Sequence, residues 1–434
     1  MKFYDREKEL EVLRKNQERS KNGGVFTVIT GRRRIGKTVL IKESERGNKK
    51  LYFFVQRTSE KSLCRKLAKA AKKDLDLYLI DSGEFHDLFL QLMRYGENEN
   101  FTLIIDEFQD LEKVNPSIIS SIQEIWDEYR SRSQVNLIAC GSVYSMMVRL
   151  FQDNKEPLFG RATSRLNVRP FSPSVVKKIL ADHNPNYKQD DLLLLYMLSG
   201  GVPNYIEVLM DSGAVTFEKM LDFVCSPESV FLTDGKYLLV TEFGKEYATY
   251  YTILELIADG KNTLREINDS TGKDSGAYLE KLERDYGLIK KNRPIFSKDN
   301  SRDVRWQITD NYLRFYFRFV SCNQSLIELN EYEALKEEIT SEYSQYSGRV
   351  LESYFKEKMS EEESLTGIGS YWDRRGQNEI DIIAVNEKTM KAIVAEVKRD
   401  PKKANLKSLE NKTELVEGLS GYDIEYKILS MKEM

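Results

Sequence analysis

The chain has 434 residues, 41% of them hydrophobic and 11% aromatic, with 24 glycines and 9 prolines; this excludes a low-complexity polymer and is too long for one ordinary core. A formal charge of −3, with 31% of residues charged, excludes a whole-chain basic footprint for nucleic acid, although a local patch on one domain stays open. Four scattered cysteines (Cys64, Cys140, Cys225, Cys322) without a C-x-x-C pair, and two isolated histidines (His86, His183), argue against disulfides, structural zinc and a His-based triad.

The opening residues are charged, and no run of 18 apolar residues occurs. The expectation is a soluble, cytoplasmic protein without a membrane partner. Val25-Phe26-Thr27-Val28-Ile29-Thr30 is a β-branched, apolar strand pattern. Directly after it, Gly31-Arg32-Arg33-Arg34-Ile35-Gly36-Lys37-Thr38 is a complete G-x-x-x-x-G-K-T phosphate loop, and Val39 continues into a helix. The glycines let the backbone approach phosphates, so that N–H groups and a helix N-terminus face the anion. Lys37 brings a positive charge to the β- and γ-phosphates, and the Thr38 hydroxyl is a ligand for Mg²⁺. Gly31, Arg34, Ile35, Gly36, Lys37, Thr38 and Val39 are therefore the expected nucleotide contacts, with ATP and Mg²⁺ as the ligands.

A helix is predicted over residues 62–73. The apolar run Phe101-Thr102-Leu103-Ile104-Ile105 reads as a buried parallel strand ending in Asp106 and Glu107. Asp106 is expected to hold Mg²⁺ through water, and Glu107 to orient or deprotonate the attacking water. Residues 116–130 carry Ile118, Ile119, Ile122, Ile125 and Trp126 at helical spacing, a core-facing stripe. A third apolar strand, 135–140, runs into Gly141-Ser142, where Ser142 either reaches the γ-phosphate or closes an ordinary turn. Strands alternating with helices predict an α/β fold with a parallel sheet.

With these motifs the chain resembles the prokaryotic "archaeal ATPase" group of AAA+-type P-loop ATPases, in the clade that includes the STAND signalling ATPases. Phe3-Tyr4-Asp5-Arg6-Glu7-Lys8-Glu9 is similar to that clade's h-h-G-R-E-x-E motif, with Asp5 in place of Gly; the resemblance puts Arg6 near the nucleotide. Leu158-Phe159-Gly160-Arg161 is also typical of the group, which makes Arg161 the candidate sensor or finger arginine, against the alternative of a surface arginine after a turn. Ser199-Gly200-Gly201-Val202-Pro203 resembles the start of a helical lid whose proline, here Pro203, approaches the adenine. The expected divisions are an ATPase domain over residues 1–170 and a lid over 171–245.

Residues 246–308 read as three helices and a hairpin, with strands around Pro294 and Asp299-Asn300, the order of a winged helix-turn-helix. Its reader helix, 275–286, carries Glu280, Glu283 and Asp285 against Lys281 and Arg284, so DNA contact and protein contact both stay open. The aromatic stretch 310–320 is expected to link this module, 246–330, to the last domain, 331–434.

In that last domain Glu352 lies on a predicted helix, Asp381 on the strand 379–385, and Glu396 and Lys398 on the strand 391–398. The period of two puts Glu396 and Lys398 on one face. A hairpin that brings Asp381 beside Glu396 would set two carboxylates around a second Mg²⁺ or an Mn²⁺, with Lys398 activating water or stabilising developing charge. Helix, strand and strand in this order resemble the PD-(D/E)xK nuclease superfamily through Glu352, Asp381, Glu396 and Lys398. Arg374, Arg375, Lys402, Lys403 and Lys407 would suit a phosphate backbone or a solvated surface equally. The functional expectation is an ATP-hydrolysing protein acting on DNA or RNA through a nuclease-like domain. The alternative is a non-cleaving ATP-dependent switch whose partner is a protein, DNA or a second copy of the chain.

Overall fold

The structure, a computed structural model, describes residues 2–243, 247–298, 300–301, 303–373 and 378–434. Asp299 of the expected hairpin turn, and Arg374 and Arg375, lie outside the described residues. The chain forms two compact units, one of residues 5–169 and one of residues 170–434 with the segment up to Tyr4.

The first unit is built on five parallel strands: β1 (Val25–Thr30), β2 (Lys50–Phe54), β3 (Phe101–Asp106), β4 (Val135–Cys140) and β5 (Ser164–Asn167), in the order β2-β3-β4-β1-β5. The three central strands are buried almost throughout, as continuous apolar runs covered on both faces must be. Helix Ser117–Tyr129 turns its isoleucine stripe and Trp126 into this core, where the Phe26 ring meets Trp126 at 5.2 Å and Phe151 at 5.6 Å. Because every strand pair is parallel, the loops after β1, β3 and β4 leave from one edge. That edge carries the phosphate loop, Asp106-Glu107 and Gly141-Ser142.

The second unit centres on helix Gln189–Ser199, in which Asp191 through Ser199 are all buried. A helix apolar on every face must be enclosed. Gly200 ends it in left-handed geometry, and Pro203 opens the next helix, Pro203–Asp211. Tyr4, from the opening motif, belongs here; its hydroxyl donates to Asp182 at 2.9 Å.

Helices Tyr247–Ala258, Leu264–Thr271 and Gly276–Arg284 precede the antiparallel hairpin β6 (Ile289–Asn292) and β7 (Arg305–Ile308), the expected order. The strands end before Pro294 rather than running around it, since proline has no N–H for the ladder. The loop beyond is seated on the last domain. Ile295 N–H donates to the Ser370 carbonyl at 2.9 Å, Phe296 covers Gly418, and Arg305 pairs with Glu379 at 2.7 Å. The aromatic link is not one α-helix: after Asn311–Phe315 it widens to a π-helix over Tyr316–Ser321, and Gly235 lies flat against the Tyr316 ring.

The C-terminal sheet contains β8 (Gly367–Trp372), β9 (Glu379–Asn386), β10 (Lys391–Val397) and β11 (Asp423–Leu429), in the order β11-β10-β9-β8. The β8–β9 and β9–β10 pairs are antiparallel and β10–β11 is parallel, with helix Leu406–Thr413 in the crossover. The 31-residue helix Tyr332–Glu362 packs against β8, β9 and β10 and carries Glu352.

Gly201 (φ +76) tests the backbone of this unit, because a Cβ there would stand 2.1 Å from the Phe171 carbonyl oxygen. Gly201→Ala is expected to destabilise the chain by more than about 2 kcal/mol. Gly213→Ala, also at positive φ but with nothing within 4 Å, should lose only about 1 kcal/mol. Denaturant unfolding of the two variants reads the difference.

Candidate functional site

The chain turns sharply after Thr30. Gly31 has φ +147, and a Cβ there would come within 2.6 Å of the Val168 carbonyl oxygen, so the bend admits no side chain. Arg34 (φ +68) and Gly36 (φ +87) are left-handed as well, and Gly36 caps helix Lys37–Ser44. Turns of this kind gather backbone N–H groups into an anion-binding concavity in front of a helix N-terminus. Ile35 is buried beneath the loop, while Val39 is exposed on the helix. Lys37 Nζ donates to the Gly31 and Arg32 carbonyls at 2.7 and 2.8 Å, which holds the ammonium against the loop.

The Thr38 hydroxyl donates to Asp106 Oδ2 at 3.0 Å. This contact brings the end of β3 to the start of the phosphate-loop helix. Both residues offer hard oxygen donors, the chemistry that would suit a divalent ion such as Mg²⁺. Asp106, which is buried, also accepts the Tyr52 hydroxyl on Oδ2 at 2.5 Å and the Glu107 N–H on Oδ1 at 3.0 Å. Burial and then the Asp106 charge raise the Tyr52 pKa, so the phenol stays a neutral donor. Burial, with Asp106 beside it, likewise keeps Cys140 a thiol.

Glu107 sits in a left-handed conformation, φ +56, which a non-glycine residue adopts at the expense of strain. Its Oε2 accepts two bonds, from Ser142 Oγ at 2.8 Å and from Gln109 Nε2 at 2.5 Å. Ser142 is thus engaged with Glu107, the acid that follows Asp106.

Tyr52 and Gln109 were not legible as site residues. Tyr52 looks like one more aromatic in a strand, and Gln109 like a polar residue in a turn. A polar side chain two positions beyond paired acids was the one available signal for Gln109.

One expected residue, Arg161, is not gathered at this edge. Arg161 precedes β5, and Thr163 N–H bonds the Phe26 carbonyl near the start of β1, so Arg161 lies at the opposite end of the sheet. There it pairs with Asp127 at 3.1 Å. This position does not suit a sensor of the chain's own phosphate loop, and leaves Arg161 as a finger arginine or a surface arginine after a turn. Arg6 is buried with its guanidinium on the Arg169 carbonyl at 2.7 Å and on Glu9 at 3.1 Å, a tie between the first helix and the strand-β5 exit. Pro203 belongs to the other compact unit.

A second cluster forms in the C-terminal sheet. Lys398 Nζ stands 3.2 Å from Asp381 Oδ2 and 2.9 Å from Glu396 Oε1. Asp381 Oδ2 also accepts the Val397 N–H at 2.8 Å. Burial works against the Lys398 ammonium, but Glu396 and Asp381 outweigh it and raise its pKa. Glu352 is pushed up to about 7, by burial first and then by Asp381, so it shares the electrostatic environment of the three. Glu396 Oε2 is buried without a hydrogen bond and faces the Lys412 ammonium at 3.7 Å, an ion pair that already supplies it with positive charge. Among the described residues, however, no group of three or more His, Cys, Asp or Glu side chains is disposed to hold a metal. Lys402, Lys403 and Lys407 are exposed.

A P-loop at the end of β1, an acid pair at the end of β3 and the strand order β2-β3-β4-β1-β5 define a P-loop ATPase of the AAA+ type. Comparison with known proteins agrees. The profile of a family described as "ATPase domain predominantly from Archaea" matches residues 3–209, and one described as "Archaea bacterial proteins of unknown function" matches residues 316–409. An uncharacterized protein of Methanocaldococcus jannaschii, MJECL04, is 33% identical over 447 residues, 99% of this chain and 96% of that protein. Among solved structures, the Walker-type ATPase paby2304 of Pyrococcus abyssi superposes with a TM-score of 0.54 at 18% identity, covering 73% of this chain and 96% of that one; this likeness speaks for the fold. The chain belongs to this predominantly archaeal ATPase family. Among the described residues, no helix is long and apolar enough to cross a membrane.

Lys37→Ala should lower the affinity for ATP by about tenfold or more, the loss of one charge-assisted contact, and abolish turnover while leaving the melting temperature near that of the parent. Titration with a fluorescent ATP analogue and phosphate-release kinetics check it.

Proposed function

We propose that this ATPase acts on nucleic acid, and that ATP binding and hydrolysis control a metal-dependent, nuclease-like C-terminal domain. In the ATPase unit Lys37 neutralises the phosphates, Thr38 and Asp106 serve Mg²⁺, Glu107 takes a proton from the attacking water, and Ser142 answers to the γ-phosphate. Arg161, remote from its own phosphate loop, would serve only the nucleotide of a second copy of the chain.

The observation that carries the nuclease reading is the convergence of Asp381 and Glu396 within 3.2 Å of the Lys398 ammonium, on a hairpin packed against the helix that bears Glu352. Asp381 and Glu396 would hold a divalent ion, which when bound polarises a phosphodiester. Lys398 would steady the developing charge. Lys412, 3.7 Å from Glu396 Oε2, would have to give way to such a divalent ion.

One observation favours the non-cleaving switch instead. The hairpin loop at Ile295 and Phe296 is committed to the C-terminal sheet, and the reader helix carries three acids against two bases, so the module offers no net positive face for DNA. In that reading the ATPase binds a protein or DNA partner and cuts nothing.

With Mg²⁺ or Mn²⁺ and ATP, the full chain should nick single- or double-stranded DNA or RNA. Asp381→Ala and Lys398→Ala should each remove the activity by about a hundredfold or more while ATP turnover persists. Gel assays over a panel of substrates decide it, and a wild-type chain inert on all of them would make the switch the better account.

A further inference from the structure

Gln109 is the least expected polar residue near the phosphate loop. It is 1% exposed, and its amide oxygen is buried with no hydrogen-bond partner. A buried polar group left without a hydrogen bond is unfavourable and calls for a reason. What the side chain does make is the 2.5 Å bond from Nε2 to Glu107 Oε2. The turn is fixed to aim it there. Phe108 N–H bonds the Cys140 carbonyl and Asp110 N–H the Glu107 carbonyl, both at 2.9 Å. Gly141 leaves the room, since a Cβ there would lie 2.3 Å from Gln109 Oε1.

The second donor to the same oxygen is Ser142, at 2.8 Å. A serine hydroxyl has one proton and serves one acceptor at a time. If it turns to a γ-phosphate oxygen, Glu107 keeps only the amide of Gln109 on Oε2, and Oε1 remains for water. In hydrolysis the water oxygen bonds to the γ-phosphorus, the bridging P–O bond breaks with its electron pair leaving on ADP, and the water's proton goes to Glu107.

We propose that Gln109 is the positioning residue for the hydrolytic base: its amide holds the strained Glu107 carboxylate in register with the attacking water once the Ser142 hydroxyl is handed to the phosphate. This rests on Glu107 being that base, and the test separates the two. Gln109→Leu, Glu107→Gln and the double variant are compared in the full chain for kcat, KM, affinity for a fluorescent ATP analogue, and melting temperature. Gln109→Leu should lower kcat by about tenfold to a hundredfold, with KM and analogue affinity unchanged within about twofold, as expected when a reacting group loses its alignment. On top of Glu107→Gln it should have no further effect, because it acts through that carboxylate.

Should Gln109→Leu melt early, Gln109→Asn, which keeps the amide but is a methylene shorter, must show the same kcat-only loss. A wild-type kcat in the Gln109 variants, an equal loss in analogue affinity, or an undiminished fall in the double variant overturns the positioning role while leaving Glu107 as base. A Glu107→Gln enzyme of normal rate removes both.

Discussion

The hydrogen bond from Thr38 to Asp106 is where the ATPase unit comes to a point. Strands β1 and β3 are not neighbours; β4 lies between them, so the phosphate-loop exit and the acid start roughly 10 Å apart across the sheet. The first residues of helix Lys37–Ser44 close that distance. This works only because β1, β4 and β3 all run the same way, which puts loop, serine and acid at one edge. A reversal of any central strand would carry its chemistry to the far side, where Arg161 now sits.

The groups at this edge are already partnered among themselves. Lys37 lies on loop carbonyls, Thr38 and Tyr52 share one oxygen of Asp106, and Ser142 and Gln109 share one oxygen of Glu107. The nucleotide therefore enters by exchange, replacing internal bonds with bonds to its phosphates. The net gain of such an exchange is smaller than the sum of the new contacts, since each released group had a partner before. Left-handed Glu107 and Arg34 show where the backbone was bent to allow it.

What could be read in the sequence was what is local. The phosphate loop, the paired acids and the strand before each are contiguous, so spacing alone announced them. The C-terminal set was legible for a related reason: alternation on a strand fixes which side chains share a face, and a short hairpin fixes which strands meet. The end of the sheet at which Arg161 lies was not legible, because it depends on strand order, which no local pattern encodes. Tyr52 escaped because its role comes from the parallel register of β2 with β3 and not from its neighbours in the chain. The opening motif was divided for the same kind of reason: Tyr4 and Arg6 are two residues apart, yet they fold into different units.

The loop between β6 and β7 gives its backbone to Ser370 and its Phe296 ring to Gly418. Gly418 tolerates no side chain under that ring, which also meets the Tyr422 ring at 6.5 Å. The three-helix module and the terminal sheet are therefore not independent cassettes. A recombination event that traded the sheet for another would strand an aromatic and an unpaired amide in water, so lineages that remodel one must remodel the other. Descent in this family is expected to preserve the two as an inseparable pair, whatever becomes of the acids between them.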